Sequence, residues 1–246
     1  MKILCMLPAA KGVYPPEAEE RRMKLMASYA SPATEIDVDY MPEPSGFSPW
    51  GGQDKPHHMQ AELVARAHAL GAERAARAEQ EGYDAYCPYG VLDIGVLEAR
   101  RRGVNIPVIG QSEAAALFCG VLGQRFASCS YVSTPEGDAG MRERIARCGV
   151  EHLYAGPTAI GIPNSEYPQR RAEVLERFID CARQARAMGA ELMGVVAMSI
   201  CPTEFPAKQL TEASGLPVLD ALAAQIAMAE WWHRTGLPPS LLKLPR

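Results

Sequence analysis

One unit of sequence occurs twice in this chain, and it limits the fold more than any other feature. Residues 82–116 read GYDAYCPYGVLDIGVLEARRRGVNIPVIGQSEAAA, and residues 189–225 contain GAELM, then GLPVLDALAAQ. In the first copy a short apolar run with β-favouring aromatics, 84–89, lies between Gly82 and Gly90. Residues 93–102 then show a helical rhythm, with Ile94, Val96 and Leu97 inward and three arginines at the end, where cations suit the helix dipole. Residues 106–110, IPVIG, form the next buried strand, and Ser112 is placed to cap a helix starting at Glu113. A strand returned through a helix pairs parallel to the first, and the loops after both strands then share the carboxyl edge of the sheet. Open α/β sheets take their ligands along that edge.

In chain order the same logic continues. A strand is predicted over 2–7, a helix over 16–29, a strand over 35–40 and an Ala-rich helix over 60–81. Residues 42–56, rich in Pro, Gly and Ser, have no period and read as a loop, with a lid over a site as the functional alternative. The second half gives strands over 126–132, 151–155, 191–197 and 216–219, and helices over 137–147, 167–188 and 221–234, with another before residue 213. The fold class is therefore α/β, two pseudo-symmetric lobes, each a mostly parallel sheet flanked by helices, with the site in the cleft between them. Residues 1–111 plus 221–246 form lobe one, and 112–220 form lobe two.

Composition excludes some partners. A net charge of -4 gives no electrostatic case for a nucleic acid. No apolar run approaches the roughly 20 residues that span a bilayer, so no membrane partner is expected. The start, MKILCMLPAAKG, fits a buried first strand better than a signal peptide. Seven cysteines without CxxC spacing argue for reduced thiols and a cytoplasmic location.

The order GYDA, LDIG, EAR, IPVIG, SEAA, LGQRF, then GAELMGVVAMSI, GLPVLD and AQIAMAE, resembles the aspartate/glutamate/hydantoin racemase superfamily, its hydantoin racemase branch above all. The resemblance runs over nearly the whole chain and is strongest over 82–126 and 189–230. It implies two pseudo-symmetric lobes, no cofactor, no metal, a small-molecule substrate and a homo-oligomer. It also implies one cysteine per lobe on opposite faces of a chiral carbon, one thiolate removing the α-proton and the other thiol returning one. A thiol of pKa about 8.5 can be tuned for this by its surroundings.

Both cysteine slots differ here. Where the family reads roughly GCFxDxG, this chain has Tyr89-Gly90-Val91-Leu92-Asp93-Ile94-Gly95, so Gly90 holds the slot. Where it reads roughly GCMSM, the chain has Val196-Ala197-Met198-Ser199-Ile200, so Ala197 holds it. Cys87 lies three residues before the first slot and reads as a packed core thiol. Cys201, four after the second, could reach the cleft only through a local insertion. The family's Asn-Thr signature is replaced by Pro8-Ala9-Ala10, and the matching pair in lobe two by Ser130-Tyr131.

The catalytic candidates are therefore Glu113, Asp93 and Tyr89. Glu113 serves either the helix dipole or as base or substrate anchor. Asp93 either caps its helix or acts, and Tyr89 faces the ligand or packs. Pro8, Gly90, Val91, Ser112, Ser130, Tyr131, Ala197, Met198 and Ser199 are the expected substrate contacts; for Ser199 a cap or backbone bond is the structural alternative. His57 and His58 are adjacent, hence no metal motif; each is a surface residue or a replacement base if the loop closes. The expected function is cofactor-independent proton transfer beside a carboxylate or carbonyl, by an isomerase, racemase or lyase. A hydrolase on the same scaffold and a non-catalytic binding protein are the alternatives.

Overall fold

The computed structural model describes residues 1–42 and 61–239. The chain divides into two compact units, Met1–Gln111 with Gln225–Arg246, and Ser112–Ala224. It passes between them twice, at residues 111/112 and 224/225.

The first unit opens with β1 (Lys2–Leu7), α1 (Pro16–Tyr29), β2 (Glu35–Tyr40), α2 (Ala61–Gln80), β3 (Ala85–Pro88) and α3 (Val96–Arg101). Its sheet has the order β2-β1-β3, all parallel. Every residue of β1 after Lys2 is buried, as expected of a central parallel strand covered on both faces. The chain then crosses on α4 (Gln111–Leu122). The second unit follows with β4 (Phe126–Ser130), α5 (Pro135–Arg147), β5 (Tyr154–Ala159), α6 (Arg171–Ala187), β6 (Leu192–Val196) and α7 (Ala207–Ser214). Its sheet has the order β5-β4-β6, again parallel. Helix α8 (Ala221–Thr235) leads back into the first unit.

The α/β class with parallel sheets is thus what forms, and the repeat holds at the level of single bonds. In the first unit Tyr86 N–H donates to the Pro107 carbonyl (2.9 Å) and Ile109 N–H to the Tyr86 carbonyl (3.0 Å). In the second, Met193 N–H donates to the Pro217 carbonyl (2.8 Å) and Leu219 N–H to the Met193 carbonyl (3.0 Å). Each predicted fourth strand is therefore a one-residue bridge, Tyr86 to Val108 and Met193 to Val218. Pro107 and Pro217 have no N–H to extend a ladder, which is why neither run becomes a strand.

Three other expectations need correction. The helix expected from Asp93 begins at Val96, because Asp93 (φ 51°) and Gly95 (φ 80°) both take left-handed conformations. Asp93 is not the cap; Gly95 holds that position, with no side-chain cap bond. Ser112 is not a cap either, since α4 starts one residue earlier, at Gln111. The helix expected over 137–147 starts at Pro135, behind a Thr134 N-cap that accepts from Gly137 N–H at 3.2 Å.

Packing inside the first unit depends on small residues. The inner face of α2 carries Ala67, Gly71, Ala72, Ala75 and Ala78, so α3 and its loop approach closely. Arg74, on that same face, pairs through Nε with Asp39 (2.5 Å) and through Nη2 with Glu81 (2.9 Å). In the second unit the core gathers Phe178, Met193, Ile200, Cys201 and Phe205 around β4 and β6.

Candidate active site

The carboxyl edge of the first sheet is built from three loops. After β1, Pro8, Ala9 and Ala10 are buried, and Met41 N–H donates to the Leu7 and Ala9 carbonyls at 3.0 and 3.1 Å. The loop runs on to Tyr14, buried under the Arg22 guanidinium, which stands 4.4 Å from its ring. Burial pushes the Tyr14 pKa up; Arg22 opposes this, and Tyr89 adds to it as a neighbour.

After β3 comes the loop with the first slot. Tyr89 is buried, its N–H donating to the Met6 carbonyl at 2.9 Å. Gly90 takes φ 117°, and a Cβ there would meet nothing within 4 Å, so the slot is open space. Val91 is half-buried beside it. Asp93 is 3% exposed. Its carboxylate lies where a side chain on Gly110 would start: a Cβ there would fall 2.5 Å from Asp93 Cγ. The third loop, at Gly110 and Gln111, is thereby locked to the second. The Gln111 Oε1 completes the lock by accepting from Gly90 N–H at 2.6 Å. The structure thus brings Pro8, Tyr89, Gly90, Val91 and Asp93 to one edge.

Glu113 is placed differently. It is buried, with Oε1 3.8 Å from Arg147 Nε, and its carbonyl receives the Cys148 thiol at 3.8 Å. Arg147 ends the helix that feeds β5, so this carboxylate faces the end of a helix that enters the second sheet at its amino edge. Ser112, beside it, is fully buried.

In the second unit Ser130 and Tyr131 follow β4, both half-buried, with the Tyr131 ring against the core. Ala197 and Met198 follow β6 and are buried; Ser199 is half-buried. Ala197 N–H donates to the Cys129 carbonyl (2.8 Å), while the Ala197 carbonyl accepts from Ile200 and Cys201 N–H (2.8 and 3.0 Å). Two residues at this edge escaped the sequence reading. Tyr167, on the loop after β5, is 1% exposed, and burial pushes its pKa up. The Ser199 hydroxyl acts the other way, although no hydrogen bond of good geometry joins the two. Glu204 is buried and takes Arg171 Nε at 2.8 Å, with the guanidinium stacked over Phe205. Neither belongs to a motif; only the fold brings them to the edge. His57 and His58, and nearly all of the 42–56 loop, lie outside the described residues.

No thiol reaches either slot among the described residues. Cys5, Cys87, Cys119, Cys129, Cys181 and Cys201 are buried, and only Cys148 is of intermediate exposure. Burial raises the Cys201 pKa and pushes Cys119 up to about 12, while Cys87 is raised by its neighbour Cys5 and then by burial. Cys201, four residues past the second slot, packs in the core with Ile200 and Phe205. Iodoacetamide at pH 8 is accordingly expected to alkylate Cys148 alone in the native protein, with turnover unchanged. Rapid labelling of Cys87 or Cys201, located by peptide mass mapping, would contradict this placement.

A family model described as Asp/Glu/Hydantoin racemase matches residues 52–229, more than half of the chain. The chain belongs to the Asp/Glu/Hydantoin racemase family. Among curated relatives, a hydantoin racemase of Rhizobium meliloti is 31% identical over 157 residues. That match spans 62% of this chain and 61% of the relative, so it leaves over a third of the relative's length unmatched. Among solved structures, an allantoin racemase from Klebsiella pneumoniae is 22% identical, with a TM-score of 0.73 over 100% of this chain and 94% of that one. Arylmalonate decarboxylase is 14% identical, with a TM-score of 0.57 over 96% of this chain and 94% of its own. Both likenesses show the fold. Among the described residues, no cluster of three or more His, Cys, Asp or Glu side chains is placed to hold a metal, and no helix is long and apolar enough to cross a membrane.

Proposed function

We propose that this family member is an isomerase- or lyase-type enzyme that moves a proton at the carbon next to a carbonyl or carboxylate, without a cofactor and without a cysteine. The observation that carries this reading is the loop after β3. Its slot at Gly90 is open, its thiol neighbour Cys87 is sealed in the sheet, and Tyr89 and Asp93 flank the opening from buried positions. A proton next to a carbonyl is weakly acidic, so a base must be held close to it in a dry site. Asp93 is the group we assign to proton removal, and the Tyr89 hydroxyl to hydrogen bonding of the oxygen that gains charge. Glu113 is assigned a structural role with Arg147. In the second unit, Ala197, Met198 and Ser199 are assigned to substrate shape, with Tyr167 and Glu204 as the polar groups of that edge. The assembly is proposed to be a homo-oligomer.

The relatives' names, racemase and decarboxylase, mark two outcomes that the proposed carbanion could have. A panel of single-enantiomer 5-substituted hydantoins, amino acids and 2-substituted malonates, followed by chiral chromatography and CO₂ release, separates the outcomes. Loss of optical purity marks racemisation, and CO₂ release with one product hand marks decarboxylation. Failure of every member to react overturns the proposal.

A further inference from the structure

We infer that His68 is a positioning residue: its Nδ1 anchors the loop that carries Asp93 through the Gly95 N–H, and turns to Glu98 instead when the ring takes up a proton. His68 lies one turn before Gly71 on α2, on the side that meets the Asp93 loop. That loop holds two left-handed residues, Asp93 (φ 51°) and Gly95 (φ 80°), and Val96 N–H closes it on the Asp93 carbonyl at 3.2 Å. Gly95 is buried and stands at the N-cap of α3 with no side-chain cap bond. Its N–H donates to His68 Nδ1 at 3.2 Å. Glu98 Oε2 lies 3.1 Å from the same nitrogen. Glu98 is the third residue of α3, where the acid of a capping box would itself take the N-cap N–H. Here an imidazole from another helix takes that bond.

One ring nitrogen cannot serve both neighbours at once. A backbone N–H only donates, so the bond from Gly95 requires a lone pair on Nδ1, as in the neutral Nε2–H form. An ionised carboxylate only accepts, so the bond to Glu98 requires a proton on Nδ1. Burial decides which bond the neutral ring keeps. The Gly95 N–H is buried and costly to leave unpaired, whereas the Glu98 side chain is 33% exposed and can turn to water. A proton from solvent adds the second ring N–H and a positive charge beside Glu98. Burial raises the Glu98 pKa, but its bond to His68 and the charges of His68 and Arg101 outweigh this and hold it below the usual carboxylate range. The protonated ring therefore pairs with Glu98, and the Gly95 N–H loses its acceptor. Among the described residues, the charged groups on the elements packed here are Glu98 and Arg101 of α3, Asp93 in the loop, and Glu73 of α2, paired with Arg102 at 3.7 Å. Glu98 is the one that reaches the ring. The anchor is thus present above the range where imidazoles titrate and lost as pH falls through it. A loop released at Gly95 no longer fixes the carboxylate two residues away.

The effect on turnover rests on the proposed role of Asp93, and two measurements keep the anchor and that role apart. Proton–nitrogen NMR of the full ¹⁵N-labelled chain, from about pH 5 to 9, reads the anchor itself. Neutral His68 should be the Nε2–H form, and the Gly95 amide signal should move with the His68 midpoint. Below that midpoint Gly95 hydrogen exchange, corrected for the intrinsic effect of pH, should be at least about ten-fold faster. In His68→Asn, whose Oδ1 takes the place of Nδ1 and does not ionise, the Gly95 signal should not titrate. Kinetics with the fastest-reacting compound of the panel reads the consequence. Wild-type kcat should fall about ten-fold or more through the His68 midpoint, with KM changing less. His68→Asn should keep the upper plateau within about two-fold and lose this limb, while His68→Phe should lose about ten-fold in kcat at every pH. A neutral Nδ1–H ring, a Gly95 amide indifferent to His68, or the same kcat limb in folded His68→Asn overturns the inference. The wild-type spectra decide alone if neither variant folds. A Gly95 anchor that follows His68 in a chain that exchanges no α-proton would sink the proposed function and leave the anchor standing.

Discussion

Replacing Gly95 with alanine is expected to destabilise the protein by about 3 kcal/mol or more. Two effects add at this position. The backbone takes φ 80°, a conformation that costs an L residue about 1 kcal/mol or more. The added Cβ would also lie 2.5 Å from the Gly71 carbonyl carbon and 2.6 Å from the Ala72 nitrogen. Both atoms are backbone of α2 and cannot swing aside, so the helix or the loop must move as a whole. Gly82 supplies the control, with φ 83° and nothing within 4 Å of its Cβ. Gly82→Ala should show the conformational cost alone, about 1 kcal/mol. Thermal melting measures both: Gly95→Ala should lower the Tm by about 6–12 °C and Gly82→Ala by about 2–4 °C. Equal shifts for the two variants would mean that the contact between α2 and the Asp93 loop is looser than it is drawn.

Gly110→Ala is expected to lower turnover by about 100-fold while costing less stability than Gly95→Ala. Its Cβ would fall 2.5 Å from Asp93 Cγ and 2.6 and 2.8 Å from the two carboxylate oxygens. No positive φ is involved, so the strain falls on the Asp93 side chain rather than on the backbone. Asp93 is short and itself held at φ 51°, which leaves it few ways to give. A displacement of about 1 Å is enough to cost two orders of magnitude when the displaced group does the chemistry. The loss should appear in kcat more than in KM, and Asp93→Asn should match it. Unchanged turnover in Gly110→Ala, with the fold intact by circular dichroism, would remove Asp93 from the chemistry.

The parallel α/β pattern was legible because it is local. Apolar runs of strand length, helical rhythm and the punctuation of Gly and Pro all lie within a few residues of each other, and the repeat of IPVI and LPVL marked two equivalent corners. What was less legible depends on atoms distant in sequence. For Asp93 a helix cap and an acting group both stayed open, because its left-handed backbone and the closeness of its carboxylate to Gly110 are announced by no nearby residue. For Glu113 the local pattern offered the helix dipole or a base or anchor role, and could not show Arg147, which stands at the end of another helix. Gln225, 114 positions after Gln111, donates to the Pro88 and Ile109 carbonyls, and nothing in its local pattern marks that contact. The bridges at Val108 and Val218 read as strands because apolar content outweighs a single proline until the ladder bonds are counted.

The most direct test is deuterium incorporation at the acidic carbon of 5-benzylhydantoin and the other panel members in heavy water, followed by proton NMR. The protein would first be treated with iodoacetamide in its native state, which removes the accessible thiol from consideration. Proton transfer by non-cysteine groups predicts exchange well above the buffer rate in treated and untreated protein alike, and its loss in Asp93→Asn. Exchange abolished by the treatment would return the chemistry to a thiol, and exchange at the buffer rate for every compound would contradict proton transfer as this chain's function.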